Sequence, residues 1–243
     1  MGLSKKRRMI YLCGIRCLVV DLSEPLSLDR EVYPGDPKPK KRVFSSFASS
    51  GCEHHIYCLS DHIFHPHGDA PKHQNKGGSG FECYNLDFCF NDACLVDLSN
   101  CKEAEVLNGI KYLVRIEEKH IKPYTALISK KGALIIRTGY DKWLETNKHH
   151  KKGKIPYLTE EACDILVKFD KLKVICIDSL SIDAPGSSYV HKRFKNKLIV
   201  ESLVNLYSIP KQDRRSFCLQ TSPVQIIGAT GGPVKAYAFI RKG

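Results

Sequence analysis

The sequence predicts a single α/β domain in which strands outnumber helices, and three observations carry that prediction. Apolar, β-branched runs of strand length recur at residues 17–22, 93–98, 132–138 and 174–178. Between the last two lies a clear helix pattern: Thr159-Glu160-Glu161 opens it, and Ala162, Ile165, Leu166 and Phe169 follow at helical spacing. Finally, the 243 residues contain no internal repeat and no linker-like stretch, and one well-buried domain accommodates that length.

Residues 1–16 read as a basic extension carrying Lys5, Lys6, Arg7 and Arg8, and residues 17–243 as the domain proper. The extension imitates a secretory signal only weakly, because Arg16 interrupts its apolar run and no clean small-residue cleavage site follows. Lys6 stands where the myristoylation pattern requires Ser or Thr, and no apolar stretch approaches the roughly 18 to 20 residues of a membrane span. A cytosolic protein with no membrane partner is expected.

The first domain strand, 17–22, is followed by a turn at Tyr33-Pro34-Gly35-Asp36-Pro37, where proline and glycine supply the backbone angles. Strands are expected at 42–47, 54–59 and 62–69, then a loop at 76–80. After strand 93–98 comes a possible strand at 111–115, a helical entry over 117–124, and a strand at 132–138 bounded by Gly139. Two acids in the first turn of the helix opened at Thr159 complement its dipole. Residues 198–206 mix a β-branched start with a helical continuation, and periodicity leaves both open. Residues 217–219 and 233–240 read as closing strands around the glycine-rich 228–232.

Composition excludes several classes. Eleven cysteines form an odd set without a Cys-x-x-Cys pair, and Cys94, Cys163 and Cys176 lie inside apolar runs, as reduced cysteines acting as small hydrophobes do. The formal net charge of +12 is spread over separate segments that do not interleave basic and aromatic residues, so it reads as solvated surface and no nucleic-acid partner is expected.

Six of the ten histidines fall between positions 54 and 73, ending in His62, His65, His67, Asp69 and His73. On a strand, His67 and Asp69 point to one face, and Pro71 ends the strand. His65 and Asp69 would stand about 13 Å apart on a straight strand, at about 3.3 Å per residue, so one ion demands a bend and two ions sharing Asp69 relax that demand. Histidine with carboxylate suits Zn²⁺ or Mn²⁺, which lower the pKa of bound water to about 7. His73, beyond the proline, is placed to carry a proton. Glu201 lies in the apolar run Leu198-Ile199-Val200-Glu201, where an unpaired carboxylate is costly and a metal partner removes the cost; His191 is the other downstream candidate.

These residues resemble the metal-dependent cyclase family that includes bacterial kynurenine formamidase and isatin hydrolase. The family signature is His-x-Gly-Thr-His-x-Asp-x-Pro-x-His, and His67, Asp69, Pro71 and His73 match it in spacing. The likeness continues through residues 21–26, 33–37, 136–143, 177–183, His191, 201–206 and 231–236. It implies a small barrel-like mixed sheet with flanking helices (a swivelling β/β/α architecture) assembled as a homodimer or homotetramer. It also implies two divalent ions held by His67, Asp69, His191 and Glu201, with Asp69 bridging and His73 as the acid/base residue.

In strict register the first histidine of the signature falls on Ile63, and its Gly-Thr pair becomes His65-Pro66. Either His62, through a one-residue bulge, or His65, from the face of His67, takes that position; His62 is the reading adopted. The expected activity is hydrolysis of an amide C–N bond by metal-bound hydroxide. The substrate would be a small molecule, either an N-formyl aryl amide such as formylkynurenine or a cyclic amide. The rival is a catalytically impaired member acting as a binding or regulatory protein. Tyr33, Phe64 and Trp143 are candidates for an aromatic pocket, with simple core as the alternative for each.

Overall fold

The computed structural model describes residues 6–29, 32, 33, 35–63, 66–146 and 154–243. His65, Phe64 and Pro34 lie outside the described residues. Nine strands form the main sheet. In chain order they are β1 (Arg7–Leu12), β2 (Ile15–Asp21), β3 (His67–Asp69), β4 (Phe90–Asp97) and β5 (Ala133–Arg137). Then come β6 (Val174–Ile177), β7 (Leu198–Glu201), β8 (Phe217–Pro223) and β9 (Gly231–Arg241).

The spatial order is β1-β2-β9-β8-β4-β5-β6-β7-β3, and β3 pairs back onto β9, closing a seven-stranded barrel. Strands β4 to β7 run parallel, whereas β3, β8 and β9 join antiparallel. Residues 7–16, set apart above as a basic extension, form β1, the hairpin turn and the first two residues of β2, so part of that segment belongs to the sheet.

The parallel strands read as unbroken apolar runs because both of their faces are covered. Ala133, Ile135, Val174, Cys176, Leu198 and Val200 fill the barrel. The alternate residues Leu134, Ile136, Ile175, Ile177 and Ile199 pack outward with Ala162, Cys163 and Leu166 of the predicted helix. That helix spans Glu160–Leu166, and Thr159 caps it by accepting the Ala162 N–H. Burial pushes the Cys94 thiol up to about 11 and that of Cys163 to about 12, as for inert core cysteines.

One expectation is corrected, and one reading left open by periodicity is decided. Among the described residues, the strand expected at 62–69 is formed only by His67–Asp69, with Asp61 and His62 in a turn before it. The run at 198–206 is a strand only as far as Glu201; Ser202 and Asn205 then take left-handed backbone angles, which end the ladder without starting an α-helix. The strands expected at 42–47 and 54–59 appear as Lys40–Ser45 and His54–Cys58, a separate hairpin that leaves Val43, Phe44 and Tyr57 exposed. No helix among the described residues is long and apolar enough to cross a membrane.

Candidate metal centre

Strand alternation decides which side chains can meet. Leu198 and Val200 of β7 face the barrel interior, so Ile199 and Glu201 face outward. β3 lies alongside with His67 opposite Glu201, Gly68 opposite Val200 and Asp69 opposite Ile199. Opposed residues share a face, so Glu201, His67 and Asp69 stand together on the outer surface of the barrel. Gly68 between them is closely packed: a Cβ there would meet Leu198 and Val234 side chains at 3.0 Å. His67 Nε2 lies 3.4 Å from Glu201 Oε2 and 3.8 Å from Asp69 Oδ1. Glu201 Oε1 accepts the Ile182 N–H at 2.7 Å.

His191 arrives on a short helix, Tyr189–Arg193, and is buried. Asp183 holds that helix: its carboxylate accepts the N–H groups of Val190 at 2.8 Å and His191 at 3.2 Å, satisfying donors left open at the first turn. Its Oδ2 also sits 2.5 Å from His191 Nδ1. The ring therefore keeps a proton on Nδ1 and turns Nε2 toward Asp69 Oδ2, 3.0 Å away, and Glu201 Oε1, 3.6 Å away.

His73 lies in the turn of helix Pro71–Gln74, which begins at the proline that ends β3. Its ring centroid is 4.2 Å from that of His62 and 5.4 Å from that of His191. His62 places Nδ1 2.9 Å from Asp69 Oδ1. All six side chains expected at the site, His62, His67, Asp69, His73, His191 and Glu201, thus line one cavity of about 260 Å³. Tyr33, Asp36, Gln74, Leu180, Ser181, Asp183 and Ser187 complete its wall. Trp143 packs with Tyr112 and Tyr140 in a separate core cluster, so its core alternative holds.

Within this cavity the ligand atoms form two groups, His67 with Asp69 and Glu201, and His62 with Asp69 and His73. In each group the atoms lie within 4.8 Å of one another, and Asp69 is common to both. His73 therefore stands among potential ligands as well as in reach of a proton.

The electrostatics call for cations. Burial acts to raise the pKa of Asp69, but the His191 hydrogen bond, the adjacent His62 and the charge of His67 outweigh it and hold it well below the carboxylate range. Burial and the Asp69 charge raise that of Glu201. Burial alone would lower His191, yet Asp183 and Asp69 push it well above the ordinary imidazole range. His73, whose burial dominates, is pushed down to about 4. Asp69 Oδ1 is buried and, despite the nearby His62 nitrogen, has no aligned hydrogen-bond donor. A buried carboxylate oxygen left so is costly, and a divalent ion removes that cost. The donor set of imidazole nitrogens and carboxylate oxygens fits such an ion.

A third grouping, Cys101, Glu103 and His120, does not make the same case. There His120 Nδ1 accepts the Glu117 N–H, so a neutral ring keeps its proton on Nε2, facing Glu103 at 3.4 Å.

The sequence reading missed Asp183, Asp61 and Thr230. Asp183 ends one of the blocks that carry the family likeness, which is the one signal that could have found it. Asp61 and Thr230 belong to no pattern, and only folding brings them together.

The Cyclase family model matches residues 20–184 of the chain. Among curated proteins, none matches the sequence. Among solved structures, the fold is similar to isatin hydrolase A from Labrenzia aggregata bound to benzyl benzoate. That match has 17% identity and a TM-score of 0.71, and covers 92% of this chain and 94% of the other. An isatin hydrolase bound to the product analogue thioisatinate matches at 20% identity and TM-score 0.70, covering 92% of each chain. A structure described as a potential metal-dependent hydrolase with cyclase activity matches at 19% identity and TM-score 0.69, covering 93% and 98%. At these identities the likeness shows the fold.

Proposed function

Because the chain belongs to the cyclase family, we propose that it is a metal-dependent hydrolase that opens the C–N bond of a small amide. The substrate is an N-formyl aryl amide such as formylkynurenine, or a cyclic amide. One observation carries this reading: Asp69 is shared by two ligand groups, and one of its oxygens is buried without an aligned donor. His67, Asp69, His191 and Glu201, with His62, would hold two divalent ions, Zn or Mn. Such ions supply Lewis acidity toward the carbonyl oxygen and lower the pKa of water to about 7.

The chain's own side chains do the rest. His73 is neutral at pH 7, because burial holds its pKa near 4, and its ring can accept a proton and pass it to the departing nitrogen. Leu180 and Tyr33 offer apolar surface to an aryl group, while Ser181, Ser187 and Gln74 offer hydrogen bonds to the amide. Burial of the carboxylates and imidazoles keeps bulk water from screening the site. Assembly into a homodimer or homotetramer is part of the proposal, supported by the exposed apolar residues of the Lys40–Ser45 hairpin, and light scattering tests it.

The test assays Zn²⁺- and Mn²⁺-loaded protein over formyl-anilides and cyclic amides, beside His73→Ala and Glu201→Gln. Hydrolysis lost in both variants is expected. A metal-loaded wild type that hydrolyses none of them, with His73→Ala indistinguishable from it, overturns the reading. The second reading, a catalytically impaired binding protein, draws on the replacement of the Gly-Thr pair. Elemental analysis separates the two: about two ions per chain favours the hydrolase and none favours the rival.

A further inference from the structure

The chain's ligand motif is displaced at its first position. Ile63, which falls where the first histidine is expected, is buried as core, and His62 faces the site from a turn. A histidine on a turn needs something to set its orientation and its proton, because either ring nitrogen can carry the hydrogen.

We infer that Asp61 and Thr230 are positioning residues that hold the proton of His62 on Nε2 and leave Nδ1 as the metal-binding nitrogen. The argument counts hydrogens. Thr230 has one hydroxyl proton, and its Oγ1 lies 2.7 Å from Asp61 Oδ2, which only accepts. That proton is committed to Asp61, so Oγ1 must accept from His62 Nε2, 3.1 Å away. Asp61 Oδ1, 3.4 Å from the same nitrogen, is likewise an acceptor. A neutral His62 ring therefore presents the lone pair of Nδ1 to Asp69 Oδ1 at 2.9 Å. Two electron-pair donors face one another there, and a metal ion between them, or a second proton on the ring, makes the contact favourable.

The relay is anchored in the barrel. Asp61 Oδ2 also accepts the backbone N–H groups of Thr230 at 3.0 Å and Gly231 at 3.2 Å. The Thr230 carbonyl accepts the Ala70 N–H at 2.9 Å, and Gly231 pairs with Asp69 across the β9–β3 ladder. Gly231 also leaves room for the ring: a Cβ there would come 2.7 Å from His62 Cε1 and 2.8 Å from the Gly68 carbonyl oxygen. Asp61 and Thr230 thus do for His62 what Asp183 does for His191, with the opposite ring nitrogen turned to Asp69.

The metal consequence rests on the hydrolase reading; the tautomer does not. Two readouts separate them. In metal-free protein at alkaline pH, long-range ¹H–¹⁵N spectra should show His62, identified by the signal lost in His62→Gln, as the Nε2–H tautomer. Thr230→Val should mix the tautomers and weaken Zn²⁺ binding, measured by chelator competition, by about 10- to 100-fold. Thr230→Ser should restore both, and Asp61→Asn should repeat the loss. A wild-type ring protonated on Nδ1, Zn²⁺ affinity in Thr230→Val within twofold of wild type, or Thr230→Ser failing alongside Thr230→Val overturns the inference. A wild type that binds no Zn²⁺ sinks the metal centre instead, and the tautomer readout alone then decides the relay.

Discussion

Replacing Asp183 by asparagine isolates what a carboxylate does for His191. In the native chain one oxygen accepts the Val190 N–H at 2.8 Å, and the other takes both the His191 N–H and its Nδ1–H, at 3.2 and 2.5 Å. Asp183→Asn keeps one oxygen for the helix cap but sets an amide NH₂ against Nδ1. The ring then moves its proton to Nε2, the nitrogen facing Asp69 Oδ2 at 3.0 Å, where a metal ion would bind. A hydrogen bond to a charged group contributes about 1.5–3 kcal/mol, and 1.4 kcal/mol is tenfold in affinity. Metal affinity should fall about 10- to 100-fold, and the metal-free protein, which loses the buried Asp183–His191 pair together with the cap, should lose about 3 kcal/mol of stability. Zn²⁺ competition against a chelator measures the first quantity and urea unfolding of metal-free protein the second. Unchanged affinity with lowered stability would refute the reasoning and reduce Asp183 to a helix cap.

Asp97 lies between Arg137 and Arg214; burial acts to raise its pKa, but Arg137, Ser99 and Arg214 hold it below the usual carboxylate range. A depressed folded pKa contributes stability that is present above the unfolded value, about 3.9, and lost as pH falls through the folded one. Asp97→Asn should therefore destabilise by about 3 kcal/mol at pH 7, with the gap to wild type narrowing in acid unfolding series as pH falls below the unfolded value. Trp143→Ala should cost about 3–5 kcal/mol in denaturant unfolding, because the buried indole packs with Tyr112 and Tyr140. Gly231→Ala should weaken Zn²⁺ binding in chelator competition, since the added methyl cannot avoid both the His62 ring and the Gly68 carbonyl.

The parallel strands were legible because burial on both faces writes an apolar run directly into the chain. The helix capped by Thr159 was legible because its cap and its 3.6-residue period are both local. What could not be read depends on partners distant in sequence. Residues 7–12 look like a charged tail until Ile15–Asp21 supplies a partner strand. Residues 198–206 carry no periodic signal that shows where the strand stops, because the stop is made by left-handed backbone at Ser202 and Asn205.

For the site, sequence alone determined the residue types and the shared face of His67 and Asp69, since a two-residue strand period needs no tertiary information. It also singled out His191 and Glu201, through an acid in apolar company and a familiar block order. Only the closed barrel decided that β3 would lie between β7 and β9, bringing Glu201 against His67 and Thr230 against His62. Register between strands more than a hundred residues apart is set by packing inside the barrel, and no local pattern in the chain encodes it.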